Sequence, residues 1–215
     1  MSELPAWWVL VVPVKHTSVA KSRLAGIAGP RRAELALAMA ADTVAAAATC
    51  PLVAMILVVT DDEVAAGELS GLGATVVPDI PAAGLNPALV HGAALARRAR
   101  PESPVAALSC DLPALRPAQL DTALRAAAAH PNSFLADTAG TGTTLYAAAA
   151  SADFSPAFGE RSRTAHRAGG AVELELVDVA TLRRDVDTEV DLWDAARLGL
   201  GVRTARIAAE LGADR

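Results

Sequence analysis

The sequence predicts an α/β fold in which a mostly parallel β-sheet is covered by helices on both faces. Short apolar runs rich in Val, Ile and Leu have the composition of strands that are buried on both sides. They alternate along the chain with alanine-rich segments of helical spacing, as expected when helices connect parallel strands. No linker, charge block or fixed-period repeat interrupts this alternation, so the 215 residues are predicted to form one domain, 1–215.

Each apolar run predicts one strand, and the first run also bears on localisation. The expected strands are residues 7–14, 53–60, 74–78, 104–109, 132–137, 143–149 and 172–180. The first run, WWVLVVPV, is too short to span a bilayer, and no cationic leader or cleavage site accompanies it. It is interpreted as a buried strand, and a cytoplasmic location without membrane attachment is expected.

The helices are predicted from the spacing of apolar residues and from residues that favour helix starts. The expected helices are residues 30–48, 62–70, 86–100, 116–129, 188–199 and 203–211. Pro30 lies in the first turn of the first helix, and the acids of TDDE, residues 60–63, would cap the second. Thr188 or Asp187 would cap the fifth. For Asn86, helix capping and contact with a base or ribose are both open.

The overall composition argues against polyanionic partners and against cysteine-based metal or disulfide sites. The formal net charge is -5, so no electrostatic attraction to nucleic acid or to an anionic membrane is expected. Cys50 and Cys110 show no C-x-x-C spacing and no accompanying histidine pattern, so neither a zinc site nor a disulfide framework is expected.

A cationic loop follows the first predicted strand. The segment PVKHTSVAKSRL, residues 13–24, contains Lys15, Lys21 and Arg23, and its Lys21-Ser22 pair would supply the last two residues of a P-loop. The two glycines of a P-loop would fall at Lys15 and Ala20, and the G-x-G-x-x-G signature of dinucleotide enzymes is missing, so neither motif is expected. The three cations are interpreted either as a solvated loop or as the binding site of a small polyphosphate.

Two later loops carry acids at predicted strand ends, where ligands of open α/β sheets bind. Asp111, in ALSCDLPAL, follows the 104–109 strand and is interpreted either as a magnesium ligand or as a turn cap. In RRDVDTEVDL, Asp185 and Asp187 alternate, so only one of them is expected to face the site from an extended chain.

Two further loops are rich in glycine and hydroxyl groups. In ADTAGTGTTLY, Gly140 and Gly142 predict a hairpin turn between two strands. In AFGERSRTAH, Gly159, Ser162 and His166 lie in a polar loop that leads into a helix start. Backbone N–H groups and hydroxyls at such a start can form an anion site.

Six short motifs occur in order along the chain: VPVK with AKSRL, GLN-x-A, DLP, GTGT, FG with a following Ser and Ala-His, and DVDT with DL. In this order they resemble the guanylyltransferases of coenzyme F-420 biosynthesis, which transfer GMP from GTP to phosphoenolpyruvate or 2-phospho-L-lactate. The resemblance covers about residues 9–200. It implies a single-domain three-layer α/β/α sandwich with a mixed sheet, like that of related nucleotidyltransferases, and an enzyme that uses Mg²⁺.

The resemblance also implies roles for individual residues. Asp111 and Asp185 would hold Mg²⁺, and Thr143, Gly159 and Ser162 would bind phosphoenolpyruvate. Two segments depart from the family pattern, because SCDLP lacks a glycine before its aspartate and FGERSRTAH lacks further small hydroxyls and acids.

The resemblance also implies a specific ligand for the cationic loop. Lys15, Lys21 and Arg23 would neutralise the GTP triphosphate while the α-phosphate is attacked, and Asn86 would contact the nucleotide. The attacking phosphate has a second pKa of about 6 and is mostly dianionic at neutral pH, so no general base is expected. The catalytic set implied in this way is Lys15, Lys21, Arg23, Asp111 and Asp185.

Other functions stay open at this stage. A related nucleotidyltransferase acting on molybdopterin or a sugar phosphate would usually begin with a G-G-x-S-x-R-x-G loop, but no glycine precedes Gly26 here. A non-catalytic nucleotide-binding regulator would not need Asp111 and Asp185. Phosphoenolpyruvate, 2-phospho-L-lactate and 3-phosphoglycerate are not distinguished as acceptors, although the alanine- and arginine-rich composition favours an actinobacterial source and, with it, phosphoenolpyruvate. The oligomeric state is open, and a homodimer is compatible with the sequence.

Overall fold

The computed structural model describes residues 7–15, 21–80 and 82–213 of the chain. Its strands are β1 (Trp8–Pro13), β2 (Val53–Val59), β3 (Thr75–Val77), β4 (Val105–Leu108), β5 (Asn132–Ala136), β6 (Thr143–Ala148) and β7 (Val172–Glu173). These strands form one sheet of seven in the order β3-β2-β1-β4-β6-β5-β7. The predicted α/β fold with a mostly parallel mixed sheet is therefore confirmed.

Helices connect the strands and cover the sheet. The helices of the described residues are α1 (Ala25–Ala28), α2 (Arg32–Ala48), α3 (Glu63–Ser70), α4 (Leu85–Ala99), α5 (Pro117–Ala127), α6 (Ser162–Ala168), α7 (Ala180–Arg183), α8 (Glu189–Leu198) and α9 (Val202–Ala213). Single 3-10 turns at Ser22–Leu24 and Gly29–Arg31 precede α1 and α2. Within the described part of the chain, no helix is both long and apolar enough to cross a membrane.

The direction of the strands decides where a ligand can bind. β1 lies between β2 and β4 and is parallel to both, and β3 continues the parallel arrangement beside β2. β6 runs antiparallel to β4 and β5, and β7 is parallel to β5. The carboxyl ends of β1 to β4 therefore meet at one edge of the sheet, where open α/β sheets bind their ligands.

Burial on both faces explains why the strands appear as uninterrupted apolar runs. In β1, Leu10 and Val12 pack into one core cluster with α2, α3 and α5. Val9 and Val11 pack into a second cluster on the opposite face, with α4. Since successive side chains of a strand point to opposite faces, a strand covered on both sides needs an apolar residue at every position.

Most predicted boundaries agree with the structure to within two residues, but the last strand does not. β7 ends at Glu173 instead of continuing to residue 180. Beyond it, Leu174 and Val179 are still buried in the core, whereas Val177 is 82% exposed. The apolar pattern there thus comes from an irregular segment that inserts single side chains into the core rather than from a longer strand.

The helix caps confirm one group of predictions and correct another. Asp62 accepts hydrogen bonds from the backbone N–H groups of Val64 and Ala65, and Thr188 forms a capping box with Asp191. The capping role weighed for Asn86 is wrong, because α4 begins at Leu85 and its cap position is Gly84. Asn86 lies inside the first turn, and its side chain is free to bond elsewhere.

Candidate active site

A cavity of about 330 Å³ opens beyond the carboxyl ends of β1 and β4. One part of its wall is apolar and comes mainly from α2, α4 and Phe158. The other part carries charge, from Lys15 and Lys21 on the N-terminal side and from Asp111 and Asp187 on the other. A mostly apolar cavity with a few convergent charged groups has the usual composition of a ligand site.

Lys21 joins two segments of the chain that are far apart in sequence. Its Nζ donates to Asp111 and, at 2.7 Å, to Oδ1 of Asp187. The side chain is only 13% exposed, and its backbone has a φ of 55°, a left-handed conformation that is uncommon for a residue with a Cβ. Burial by itself would lower the pKa of Lys21, but the two carboxylates outweigh burial and raise it, so the ammonium stays charged.

The remaining predicted cations differ in their placement. Lys15 follows β1, is exposed and lines the cavity. Arg23 lies in the Ser22–Leu24 turn, is also exposed, and is not among the cavity-lining residues. Residues 16–20, the middle of the predicted cationic loop, lie outside the described part of the chain. The structure therefore brings Lys15 and Lys21 to the same cavity and leaves Arg23 outside its lining.

Three carboxylates, those of Asp111, Asp185 and Asp187, lie close enough to influence one another. Asp187 lines the cavity, whereas the half-buried Asp185 does not, as expected for alternating residues of an extended segment. Burial raises the pKa of Asp185 to about 7, with further contributions from the charges of Asp111, Asp137 and Asp187. Burial, together with the surrounding negative charge, thus leaves Asp185 only partly ionised at neutral pH without an added cation.

Asp111 and its neighbour Leu112 are held in place by hydrogen bonds to segments that are distant in sequence. The carbonyl oxygen of Asp111 accepts from the N–H of Val186, at 3.1 Å, which ties this loop to the segment carrying Asp185 and Asp187. The hydroxyl oxygen of Thr43, on α2, accepts from the N–H of Leu112 at 3.1 Å. The sequence analysis missed Thr43, which shows no signal other than a hydroxyl in an otherwise apolar stretch of helix.

The donor set fits a hard divalent cation. Oδ1 of Asp111 is buried and has no hydrogen-bond partner among the described residues. A buried carboxylate oxygen without a donor is costly, and a cation removes that cost. No group of three or more His, Cys, Asp or Glu within the described ranges is arranged to hold a metal by itself. Magnesium is commonly held by one or two carboxylates together with substrate phosphates, so two acids are sufficient.

Cys110, beside Asp111, is not suited to nucleophilic catalysis. Burial, followed by the negative charge of Asp111, raises the pKa of its thiol to about 12. Only the thiolate is a good nucleophile, so this cysteine is inert at neutral pH.

A second polar cluster lies behind Phe158, on β6 and α6. The hydroxyl oxygens of Thr143 and Ser162 are 3.1 Å apart, and Nδ1 of His166 lies 3.0 Å from the Thr143 hydroxyl. All three side chains are buried. The predicted residues Thr143 and Ser162 are therefore brought into direct contact, and His166 joins them.

Asn86 and His166 together hold the loop that contains Gly159. The Asn86 side chain accepts from the Phe158 N–H at 2.8 Å and donates to the Phe158 carbonyl at 2.9 Å. The Ala157 N–H donates to Nε2 of His166 at 2.8 Å. Gly159 has a φ of 135°, which residues with a Cβ rarely adopt, and a Cβ placed there would meet no atom within 4 Å. The glycine is thus required by the backbone and leaves open space beside the loop.

The hairpin between β5 and β6 confirms the turn predicted from Gly140 and Gly142. The Asp137 carboxylate accepts from the N–H groups of Thr141 and Gly142, at 3.0 and 2.9 Å. A Cβ at Gly142 would lie 2.4 Å from Oδ2 of Asp137, so the close approach requires glycine. The sequence analysis did not single out Asp137, which organises this turn and faces the charge of Asp185.

Comparison with known sequences identifies a matching family and several similar proteins. A family model described as "Guanylyl transferase CofC like" matches residues 8–212. A protein of Thermomonospora curvata called phosphoenolpyruvate guanylyltransferase is 60% identical over 206 residues, covering 96% of this chain and 90% of that protein. A Streptomyces coelicolor protein of the same name is 58% identical over 205 residues, covering 95% of this chain and 97% of that protein.

Solved structures agree at the level of the fold. The CMP:2-keto-3-deoxy-manno-octonic acid synthetase complexed with CTP aligns with a TM-score of 0.58 at 17% identity, covering 95% of this chain and 100% of that one. A nucleotidyl transferase from Methanothermobacter aligns with a TM-score of 0.60 at 20% identity, covering 89% of this chain and 97% of that one. At these identities, the likeness concerns the fold alone, which is that of nucleotidyltransferases.

Proposed function

Since this chain belongs to the CofC-like guanylyl transferase family and is a nucleotidyltransferase, we propose that it transfers GMP from GTP to phosphoenolpyruvate and releases pyrophosphate. The observation that carries this proposal is the convergence of two lysines and two aspartates in one otherwise mostly apolar cavity: Lys15, Lys21, Asp111 and Asp187. A catalytic role for the chain sets aside the alternative of a non-catalytic regulator.

The N-terminal side of the cavity would bind the triphosphate. Lys15 and Lys21 both line it, and a polyphosphate needs cations that can contact several of its oxygens. Arg23 would join them from the rim. Asn86, in the first turn of α4, would act on the nucleotide through Phe158, which its amide fixes in the cavity wall. In the present geometry Lys21 is engaged by two carboxylates, so it must exchange at least one of them for a phosphate oxygen.

Magnesium would be held by Asp111 and Asp185. The unpartnered Oδ1 of Asp111 and the raised pKa of Asp185 both favour a cation near these carboxylates. When bound, the ion supplies charge neutralisation of the α-phosphate and of the departing pyrophosphate. Asp187 is the third carboxylate near the proposed magnesium site. It accepts a hydrogen bond from Lys21, and this is one of the two bonds that Lys21 could exchange for a phosphate oxygen.

The acceptor would lie on the side of Thr143, Gly159 and Ser162. One oxygen of its phosphate attacks the α-phosphorus of GTP, and the bond from that phosphorus to the α,β-bridging oxygen breaks. The electron pair leaves with pyrophosphate, and the product contains a new diphosphate linkage between GMP and the acid. The attacking oxygen is already deprotonated near neutral pH, so the chain supplies alignment and charge neutralisation rather than a base.

The names of the relatives favour phosphoenolpyruvate as the acceptor. With the family resemblance, we further propose that the reaction belongs to coenzyme F-420 biosynthesis and takes place in the cytoplasm. 2-Phospho-L-lactate and 3-phosphoglycerate carry the same phosphate and carboxylate and are the competing acceptors. A sugar phosphate lacks the carboxylate, so a pocket of donors on one side would recognise it less well.

The experiment that tests this function follows pyrophosphate release by the purified protein. Each nucleoside triphosphate is combined with each of the three acids, with Mg²⁺ or with EDTA, and the products are identified by mass spectrometry. We expect release with GTP and Mg²⁺, fastest with phosphoenolpyruvate, and none with EDTA. Release that is independent of the acid, or that is fastest with another nucleotide, would overturn the proposal.

A further inference from the structure

His166 is buried at a point where three segments of the acceptor side meet. Its Nε2 bonds to Ala157, its Nδ1 bonds to Thr143, and Thr143 in turn bonds to Ser162. The ring stacks on Tyr146 with centroids 4.7 Å apart, and the Phe158 ring packs edge-on at 5.3 Å. Phe158 also lines the cavity, so the histidine lies directly behind the cavity wall.

The hydrogen bonds determine which ring nitrogen carries the proton. The Ala157 N–H can only donate, so Nε2 of His166 must accept and carries no hydrogen. A neutral ring then has its proton on Nδ1, which donates to the Thr143 hydroxyl oxygen. Burial lowers the pKa of His166 to about 4, which keeps the ring neutral near pH 7.

Counting hydrogens shows what this tautomer does to the two hydroxyls. The bond between Thr143 and Ser162 uses one hydroxyl hydrogen, whichever of the two donates it. Because His166 donates to Thr143, the other hydroxyl hydrogen has no partner within the cluster. The opposite tautomer would take the Thr143 hydrogen for Nδ1, and both hydroxyl hydrogens would then be used internally. The pair would present only lone pairs, which repel an anion.

We propose that His166 is a positioning residue that holds the Thr143–Ser162 hydroxyl pair in the state that donates one hydrogen bond to the anionic acceptor. This inference rests on the proposed function, since it takes the acceptor to lie against Thr143 and Ser162. It goes further by assigning the recognition of the acid to a proton arrangement that a buried histidine imposes. The same ring also anchors the loop at Ala157, next to Phe158 and Gly159.

Two substitutions separate the donor role of the ring from its structural role. In His166→Asn, the amide lies near the position of Nδ1, so it can donate to Thr143, but Ala157 loses its acceptor. In His166→Gln, the amide lies near the position of Nε2, so it can accept from Ala157, but Thr143 loses its donor. Both variants remove the aromatic ring, so each is the packing control for the other.

The test measures the phosphoenolpyruvate Kd by calorimetry, and the KM of both substrates, for wild type, His166→Asn and His166→Gln. We expect His166→Gln to weaken phosphoenolpyruvate binding about fivefold, because the hydroxyl pair keeps a free hydrogen but loses the neutral hydrogen bond that fixes its direction. His166→Asn should stay within about twofold of wild type, and neither variant should change the GTP KM by more than about twofold. Nitrogen-15 spectra of the histidine rings should show that Nδ1 of His166 is protonated.

The possible results separate this inference from the proposed function. Equal losses in both variants, a parallel loss of GTP affinity, or a spectrum with the proton on Nε2 would overturn the role of His166. If wild type binds phosphoenolpyruvate but transfers no nucleotide to it, the proposed function fails while the calorimetry still tests the inference. If wild type binds no phosphoenolpyruvate, both fail.

Discussion

Lys21 illustrates how one residue can connect the two charged halves of the candidate site. Its ammonium lies between Asp111 and Asp187 and thus takes the place that a bound cation would fill in neutralising these acids. Of the two interpretations of the cationic loop, the solvated one does not hold for Lys21, because only 13% of its side chain is accessible. Removing this ammonium would leave the two carboxylates without their cation, which is costly for partly buried charges.

Replacing Lys21 should therefore affect both stability and GTP binding. Lys21→Met leaves the Asp111 and Asp187 carboxylates without their cation, and we expect a loss of roughly 1–3 kcal/mol in the free energy of unfolding. Added Mg²⁺ should restore part of this loss, because it neutralises the same acids. The exposed Arg23 is the control, and Arg23→Ala should change stability by less than about 0.5 kcal/mol. Chemical denaturation with and without Mg²⁺ measures these differences, and equal behaviour of the two variants would contradict the role of Lys21.

The acids give a second prediction at the level of single residues. If Asp111 and Asp185 hold the metal as proposed, Asp111→Asn and Asp185→Asn should reduce turnover roughly 10²- to 10³-fold while the protein remains folded, because a charge that stabilises the transition state would be lost. Asp187→Asn is the informative comparison, since Asp187 lines the cavity and Asp185 does not. Steady-state kinetics and circular dichroism of the three variants measure the effect. Near-normal turnover in Asp185→Asn, combined with a large loss in Asp187→Asn, would transfer the metal role to Asp187.

At the level of elements, α4 determines the width of the cavity. It supplies Leu85 and Leu89 to the wall, and Asn86 in its first turn fixes Phe158 through two hydrogen bonds. The helix can approach the sheet closely because Gly92 faces β1. A Cβ at Gly92 would lie 2.5 Å from Cγ1 of Val11 and 2.9 Å from Cγ2 of Val59.

Substituting glycine by alanine in two different helices should therefore have opposite effects. Gly92→Ala forces α4 away from the sheet, and overpacking of this kind costs about 1–3 kcal/mol, more than the gain in helix propensity. Gly67→Ala in α3 is the matched control, since its Cβ would meet nothing within 4 Å. We expect that variant to gain up to about 1 kcal/mol from helix propensity. Thermal or chemical unfolding compares them, and a stabilised Gly92→Ala would show that α4 does not pack as described.

For the molecule as a whole, the sequence predicts the fold better than it predicts the site. The strands and long helices are local features, since a strand buried on both faces needs an unbroken apolar run such as Trp8–Pro13. The strand predicted after Glu173 is the exception. Its prediction was wrong because single buried side chains such as Leu174 and Val179 give the same apolar pattern as a strand. The spacing of apolar residues indicates which side chains are buried. Burial alone does not determine whether a segment pairs with another strand.

The contacts of the candidate site are not local, and this limits what the sequence can predict. Motif order and strand ends point to Asp111, Thr143 and Ser162 without a structure. The partners that orient them come from distant segments: Asp187 is 166 positions from Lys21, and Asn86 is 72 positions from Phe158. Only the folded chain shows which of two alternating acids reaches the cavity, or that a buried histidine contacts the Thr143–Ser162 hydroxyl pair.

The pH dependence of stability provides a final prediction, because it measures the buried His166 in the whole folded protein. Its pKa is lowered from 6.5 to about 4 on folding, so between these values the unfolded chain binds more protons than the folded one. The contribution to stability is therefore complete above pH 6.5 and is lost as the pH falls towards 4. The difference corresponds to roughly 3 kcal/mol for a fully buried ring.

In His166→Gln this dependence is absent, so the stability of wild type relative to the variant should decline from pH 7 to pH 4.5. Denaturant unfolding of both proteins over this range measures it, and subtracting the variant removes the contributions that the other acids make equally to both. A constant difference would mean that His166 titrates normally in the folded state and that its ring is not held neutral.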